Sequence, residues 1–173
     1  MKAFATVLVL PVIALILAGC GSGETTTSST SSANYGAGSE SSSSTQVSAK
    51  SGPEVSARSV SGLGTVLVNA EGKTLYVFAP DKGREVTCTG SCAAVWPPLK
   101  VEAGEKAVAS GPAKASLLGS DPDPEGGEVV TYAGWPLYTY VADSKPGMAT
   151  GQALNLNGGY WYAISPAGKV IKE

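Results

Sequence analysis

Two stretches of the chain repeat the same order of apolar, aromatic and polar positions. Residues 72–81 read Gly-Lys-Thr-Leu-Tyr-Val-Phe-Ala-Pro-Asp, and residues 134–143 read Gly-Trp-Pro-Leu-Tyr-Thr-Tyr-Val-Ala-Asp. Both follow the pattern Gly-x-x-Leu-Tyr-x-aromatic-x-x-Asp, and they lie 62 residues apart without a gap. Because side chains alternate between the two faces of a strand, Tyr76 and Phe78 are expected on one face, and their apolar neighbours on the other.

A turn that contains glycine precedes each copy, which makes each copy the second strand of a hairpin. Residues 66–72 align with residues 128–134, and both are apolar and β-branched runs that end in Gly. This order of strand, turn and strand predicts a β-hairpin. A weaker third copy at residues 164–171 resembles residues 68–75. No stretch has a sustained helical period, so we predict an all-β fold of antiparallel hairpin repeats in one small domain, with one short helix near Ala113–Leu118.

The N-terminal residues have the features of a lipoprotein signal peptide. A basic Met1-Lys2 start is followed by an apolar run over residues 3–18, and Leu17-Ala18-Gly19-Cys20 matches a lipobox. We predict cleavage before Cys20 and lipidation of its thiol. A membrane-spanning helix is the disfavoured alternative, because a span needs about 20 apolar residues.

A linker follows the predicted anchor. Nearly half of residues 21–60 are Ser or Thr. Such a segment buries too little apolar surface to offset the entropy lost on ordering, so it is predicted to be disordered. The predicted organisation is a signal peptide at 1–19, the lipidated Cys and linker at 20–60, and a β-hairpin repeat domain at 61–173.

Charge and composition exclude several kinds of chemistry. The chain has 12 basic and 14 acidic residues, a balance too even to indicate a nucleic-acid partner. It contains no histidine, which removes the Ser-His-Asp and Cys-His routes to an activated nucleophile and the commonest nitrogen ligand of metals. We find no catalytic constellation, and we predict no cofactor.

Cys88 and Cys92 remain once Cys20 is assigned to the lipid. In an oxidising compartment such a pair is most simply a disulfide, and Gly90 lets the intervening loop turn back. A redox pair is an alternative, although no histidine and no predicted helix N-terminus lie near to lower a thiol pKa. A metal site has less support, because zinc requires four ligands.

The repeats and their surroundings resemble a known family. The first copy is followed by Cys88-x-x-x-Cys92-x-x-x-Trp96-Pro97-Pro98-Leu99, and the second opens with Gly134-Trp135-Pro136-Leu137-Tyr138. Together with the doubled Leu-Tyr-x-aromatic-x-x-Asp, this stretch from Gly62 to Gly168 resembles a family of bacterial secreted-repeat lipoproteins with a Tyr-x-(Phe/Trp/Tyr)-x-x-Asp motif. That family has no established activity, so the resemblance implies a location but no catalytic residue.

Two aspartates are candidate ligand-binding residues. Asp81 and Asp143 end the repeated strands, where each either binds a ligand or a metal, or caps the next turn by accepting backbone N–H groups. Turn capping is the favoured role, because Asp-Lys-Gly and Asp-Ser-Lys-Pro-Gly both read as turns. A pair of carboxylates acting as acid and base in a hydrolase is a more distant alternative.

Aromatic residues supply the other candidates: Tyr76, Trp135, Tyr138 and Trp161. Core packing is favoured for most of the aromatic residues, because they pair well across strands. The alternative is an aromatic face that binds a glycan, a peptide or a planar cofactor. Since neighbours in a strand alternate, Tyr160-Trp161-Tyr162 cannot all point inward, and Trp135 and Trp161 are our candidates for exposure.

These features together predict a lipid-anchored extracytoplasmic protein of unknown activity, most simply a non-enzymatic binding or envelope-support module. Its expected partners are the membrane, through Cys20, and an envelope protein or a glycan. An extracytoplasmic redox or metal-linked accessory protein is the alternative. An outer-membrane address stays open for a cell with two membranes.

Overall fold

The computed structural model describes residues 51–81 and 85–172, which form ten short strands and very little helix. Cys20, the signal peptide and most of the predicted linker lie outside the described residues. The strands are β1 (Glu54–Val60), β2 (Gly64–Asn69), β3 (Tyr76–Phe78), β4 (Lys100–Val101), β5 (Val108–Ala109), β6 (Leu118–Pro122), β7 (Glu128–Tyr132), β8 (Trp135–Pro136), β9 (Asn155–Leu156) and β10 (Gly159–Ala163).

The strands form three small sheets with the orders β2-β1-β5, β3-β10-β9 and β4-β7-β6, and β8 pairs with β7. Every pairing between these strands is antiparallel except that of β1 with β5, which is parallel. The predicted all-β class with antiparallel hairpins is therefore confirmed. In the described part of the chain, no helix is long and apolar enough to cross a membrane.

The folded part begins earlier than predicted. β1 pairs with β2 over six positions, from Val55 opposite Asn69 to Val60 opposite Gly64. Val55 is fully buried. The predicted domain start at Ser61 is therefore wrong. Ser and Arg residues dilute the apolar pattern of β1, and the segment is ordered by its pairing with β2 rather than by its own composition.

The helical content also differs from the prediction. The stretch near Ala113–Leu118 forms only a 3-10 turn, Ala115–Leu117. A five-residue helix that we did not predict, α1 (Ser91–Val95), contains Cys92. Gly90 precedes it with a φ of 59°, a left-handed conformation that glycine adopts without strain. So short a helix has no periodic pattern to reveal it.

The two main hairpins have turns of different length. The first places Gly72, with a φ of 76°, at the end of a longer loop, and Val68 pairs with Thr74 across it. The second turns through Ala133 and Gly134 alone, both at positive φ, and pairs Tyr132 with Trp135. The gapless alignment of the two repeats is therefore correct for the residues after the turn. Before the turn it is shifted by one residue, because the loop of the first hairpin is one residue longer.

The weak third copy is also a hairpin turn, and it closes like the first. Ser165 N–H donates to the carbonyl of Lys169 (2.9 Å), just as Asn69 N–H donates to the carbonyl of Lys73 (3.0 Å). Gly168 has a φ of 77°, matching Gly72.

The repeated strands are buried on both faces. Tyr76 and Phe78 belong to a largely aromatic cluster, whereas Leu75 and Val77 belong to an aliphatic cluster on the opposite face. This is the predicted alternation, and it places a core on each side of the central strands. Burial on both sides explains why the aromatic run contains so few polar residues.

The two halves of the domain are intertwined. The carbonyl of Ile164, at the end of the second half, accepts the N–H of Leu67 in the first half (2.9 Å). In the reciprocal contact, the carbonyl of Leu99 from the first half accepts the N–H of Val130 in the second (2.8 Å). The last segment of each half thus forms hydrogen bonds with the hairpin of the other half.

A second reciprocal pair of contacts extends this exchange. Ala79 N–H donates to the carbonyl of Tyr160 (2.9 Å), and Val141 N–H donates to the carbonyl of Val95 (3.2 Å). The two hairpins meet at Tyr76 and Tyr138, which exchange backbone hydrogen bonds of 2.8 and 3.0 Å. The domain therefore has internal pseudo-two-fold symmetry with exchanged segments.

Cleavage between the halves should leave them associated. We expect a chain cut between the exposed Gly111 and Pro112 to stay folded as one non-covalent complex, and each half alone to remain unfolded, because each lacks the strand that covers its hairpin. Size-exclusion chromatography and circular dichroism before and after separation of the halves in denaturant measure this. Two halves that separate in native buffer and remain folded would contradict the exchange.

Candidate functional site

The tyrosine and aspartate of each repeat bond to the other repeat rather than to each other. The hydroxyl of Tyr76 donates to Asp143 Oδ2 (2.6 Å), and the hydroxyl of Tyr138 donates to Asp81 Oδ2 (2.6 Å). All four residues are buried. We call these two contacts the Tyr–Asp pairs.

Each aspartate also holds the loop that follows it. Asp81 Oδ1 accepts the backbone N–H of Thr87 (3.0 Å) and its hydroxyl, and Asp143 Oδ1 accepts the backbone N–H of Thr150 (2.9 Å) and its hydroxyl. These contacts agree with the turn-capping role. Each carboxylate is enclosed by three donors from its own protein, and the two lie in separate networks.

Burial controls the protonation of these groups. Desolvation raises the pKa of Asp81, although the hydrogen bonds from Thr87 and Tyr138 oppose the rise. Burial, and then the hydrogen bond to the partner carboxylate, raise the pKa of Tyr76 and of Tyr138 far above the ordinary tyrosine value. The phenol protons therefore stay on the tyrosines, and neither residue can act as a base at neutral pH.

Four aromatic rings stack beside the Tyr–Asp pairs. Trp96 and Trp161 are parallel, with centroids 4.0 Å apart, and the stack continues to Tyr140 on the Trp96 side (4.1 Å) and to Phe78 on the Trp161 side (4.2 Å). Trp161 is fully buried, so its predicted exposure is wrong. In the Tyr160-Trp161-Tyr162 run, the two tyrosines point away from this cluster and the tryptophan points into it.

The predicted disulfide is confirmed. Cys88 and Cys92 are bonded, with Cα atoms 5.2 Å apart, and both pack in the aromatic cluster. The cystine is buried, with Cys88 1% and Cys92 8% exposed. It joins the loop after Asp81 to the first turn of α1.

The acidic turn after β6 is held by contacts within the protein. Asp123 forms an ion pair with Lys100 (2.7 Å), and Glu125 accepts the N–H of Gly90 (2.9 Å). Burial alone would raise the pKa of Asp123, but the hydrogen bonds and charge of Lys100 and the N–H of Glu125 outweigh it and lower that pKa. Within residues 51–81 and 85–172, no group of three or more His, Cys, Asp or Glu residues could hold a metal ion.

A depression of about 210 Å³ lies on the opposite face of the central strands, and we call it the aromatic groove. Tyr160, which is 47% exposed, lines it together with the half-buried Tyr162 and Trp135, which also pack against the aliphatic cluster. The full set of lining residues is Val77, Ala79, Trp135, Tyr160, Tyr162, Val170 and Lys172.

The structure therefore separates the predicted ligand-binding residues. Tyr76, Asp81, Tyr138, Asp143 and Trp161 are buried, while Trp135 alone among the candidates lines the groove. Sequence reasoning did not choose Tyr160 and Tyr162. Their alternation with Trp161 was a usable signal, because burying the larger indole turns both phenols outward.

This fold and its Tyr–Asp pairs define a small, intertwined tandem-repeat β protein. A family described as a secreted repeat of unknown function matches the chain twice, over residues 58–100 and 121–165. The matches cover just over half of the chain, so the chain belongs to this family, and it is an extracytoplasmic protein of unknown activity. No match was found among curated proteins or solved structures.

Loss of one phenol hydroxyl should be costly. We expect Tyr138→Phe to lower the free energy of unfolding by about 1–3 kcal/mol, because Asp81 Oδ2 is left buried without its donor. Urea denaturation measures the change. Tyr160→Phe removes the same atom from an exposed ring and should change stability by less than about 0.5 kcal/mol. Equal losses in the two variants would contradict a structural role for the pairs.

The ion pair of Asp123 should contribute to stability in a way that depends on pH. Because its folded pKa is lowered, this contribution is present above the unfolded pKa and is lost as pH falls through the folded pKa. Asp123→Asn should therefore be less stable than the wild type at neutral pH, with a difference that shrinks on acidification. The pKa of Asp81 is raised on folding, so Asp81 changes the pH dependence of stability in the opposite direction. This effect is the same in the wild type and in Asp123→Asn, so it cancels from the difference in stability between them. A difference that stays constant with pH would contradict the assignment.

Proposed function

We propose that the protein is a lipid-anchored, non-enzymatic binding module that acts outside the cytoplasm. The observation that carries the proposal is that both Tyr–Asp pairs are buried and have their hydrogen-bonding atoms occupied by groups of the same domain. Both oxygens of each carboxylate already accept hydrogen bonds within the domain, and burial keeps them from a substrate or a metal. The repeated motif therefore builds the domain, and recognition is left to the surface.

The aromatic groove is the surface that best supports recognition. One exposed and two half-buried aromatic residues share this depression, and clustered aromatic surface of this kind is typical of interaction sites. Trp135, Tyr160 and Tyr162 come from two strands and face the same depression. A glycan or an envelope protein is the proposed partner, and the mild net charge of −2 gives no reason to invoke nucleic acid.

The lipobox supports anchoring at Cys20. The apolar run, the small residues Ala18 and Gly19 and the Ser-rich tract that follows have the order that lipoprotein processing requires. A lipid on Cys20 would hold the domain at the membrane through the linker.

The redox or metal-linked alternative has weaker support. The cystine of Cys88 and Cys92 is buried among aromatic residues, so a reductant would have to reach an enclosed sulfur. Asp81 and Asp143, the proposed metal carboxylates, are each occupied by three donors. Both observations favour the binding module.

Lipidation should depend on Cys20 alone. In bacteria grown with labelled palmitate, we expect the full-length chain to carry the label and Cys20→Ala to lose it completely, because the thiol is the attachment point. A variant with both Cys88→Ala and Cys92→Ala is the matched control and should keep the label. Label retained by Cys20→Ala, or absent from the wild type, would overturn the anchoring proposal.

A further inference from the structure

We propose that the aromatic groove binds a saccharide that carries a carboxylate. This inference rests on the proposed function as an extracytoplasmic binding module, and it adds a site and a class of ligand. It stands on the arrangement of three aromatic rings, their free polar atoms and one lysine.

The groove has the shape of a site for a flat ring. Tyr160 and Tyr162 lie two residues apart on β10, and their rings are inclined by only 19° with centroids 6.0 Å apart. Val77 and Ala79 of the neighbouring strand segment form a small apolar floor, and Trp135 completes the lining. The C–H face of a pyranose can pack against such rings. The depression of about 210 Å³ is smaller than the roughly 300–1,000 Å³ of an enclosed ligand pocket, so it would hold one sugar ring.

The same three residues present polar atoms at their edges. Within the described part of the chain, the hydroxyls of Tyr160 and Tyr162 and the indole N–H of Trp135 have no hydrogen-bond partner. Tyrosine and tryptophan are amphipathic, so a ligand that stacks on their rings can also reach these groups. A saccharide has hydroxyls around a flat apolar face and fits both requirements.

An extended peptide fits the groove less well. Strand β10 pairs with β3 on one side, and on the other Ile171 N–H donates to the carbonyl of Ala163 (2.9 Å). The groove thus lies on a sheet face whose main-chain groups are occupied. A peptide added as a strand needs a free edge, so the ligand here must be recognised by side chains.

The charge at the groove indicates an acidic ligand. Among the described residues that line it, Lys172 is the only charged one, and it is exposed. The chain as a whole carries a net charge of −2, so attraction of a carboxylate must come from this local cation rather than from the overall field. Lys172 lines the same depression as Tyr160 and Tyr162, so we assign it to the carboxylate of a sugar ring stacked against them.

The internal symmetry sets the groove apart from the residues that the fold requires. The Tyr–Asp pairs and the two stacked tryptophans have equivalents in both halves, as Tyr76 and Tyr138, Asp81 and Asp143, and Trp96 and Trp161. The positions equivalent to Tyr160, Tyr162 and Trp135 in the other half are Val95, Pro97 and Lys73. The first half thus folds without aromatic residues at these positions. Trp135 and Tyr162 also pack against the aliphatic cluster, so it is the exposed ring of Tyr160 that most clearly points to recognition.

Two matched disaccharides test the ligand class. The chain from Cys20 onward, with Cys20→Ser to keep it in solution, is titrated with N-acetylglucosaminyl-N-acetylmuramic acid and with N,N′-diacetylchitobiose, which lacks the lactyl carboxylate. Calorimetry gives the affinity, and the indole N–H signal of Trp135 in NMR spectra reports the site. We expect both to bind, with the acidic sugar roughly twofold to fivefold tighter, as one exposed ion pair allows.

Variants locate the binding. Tyr160→Ala and Trp135→Ala should each weaken binding about tenfold or more, and Lys172→Gln should remove the preference for the acidic sugar. Tyr160→Ala keeps the test valid if Trp135→Ala fails to fold. Val141→Ala is the control, since Val141 is 58% exposed and lies outside the groove.

Three results would overturn the inference: no binding of the acidic disaccharide, equal binding of the two sugars, or binding that ignores the groove variants. The two proposals fail separately. Absent sugar binding with normal lipid labelling would overturn the ligand assignment alone, whereas lost labelling of the wild type would overturn the anchored module.

Discussion

The reciprocal hydrogen bonds of the Tyr–Asp pairs are the constraint on which the rest of the structure depends. Each pair joins a phenol of one half to a carboxylate of the other, in an interior where an unpaired carboxylate would be costly. A tyrosine of one half can satisfy an aspartate only if the two hairpins meet in one register. Burial makes the bonds specific, because water offers no substitute.

The aromatic stack and the loops follow from this exchange. Once Tyr76 and Tyr138 are adjacent, the edges of their rings pack against Trp96 and Trp161, at centroid distances of 5.4 and 5.2 Å. The tryptophans are brought there by the exchanged segments, and each ends a loop that starts at an aspartate. Hydrogen bonding between the halves and aromatic packing between them are thus consequences of the same crossing.

Much of the fold could be predicted from short-range pattern. The alternation around Tyr76 established the strands and their faces, and the glycines at the turns established the hairpins. The exchange could not be predicted, because a Tyr and an Asp five positions apart in one repeat are as compatible with a local contact as with a reciprocal one. The predicted exposure of Trp161 was wrong for the same reason. Which face of β10 is buried depends on the crossing of β10 to β3, and the sequence pattern does not show that crossing.

The start of the domain was missed for a related reason. β1 has a Ser-rich composition typical of the linker, and only pairing with β2 and β5 orders it.

The aromatic groove could also be predicted only in part from the sequence. Tyr160 and Tyr162 could be recognised as a pair on one face, but the contribution of Trp135 from another strand depends on tertiary contacts.

Departures from the internal symmetry show where the two halves have been free to differ. The loop after Asp81 is closed by the Cys88–Cys92 disulfide and α1, whereas the corresponding loop after Asp143 is closed by β9. At the position equivalent to Cys88 lies Gly151, where a Cβ atom would approach the Trp96 ring to 2.7 Å. Equivalent loops of the two halves are thus closed by different structures. The aromatic groove is a further departure from the symmetry, in which Trp135 and Tyr162 pack partly against the aliphatic cluster while Tyr160 is 47% exposed. Because Val95 takes the position of Tyr160 in the first half, the fold does not require an exposed aromatic ring there, and this ring is the part of the groove that packing does not explain.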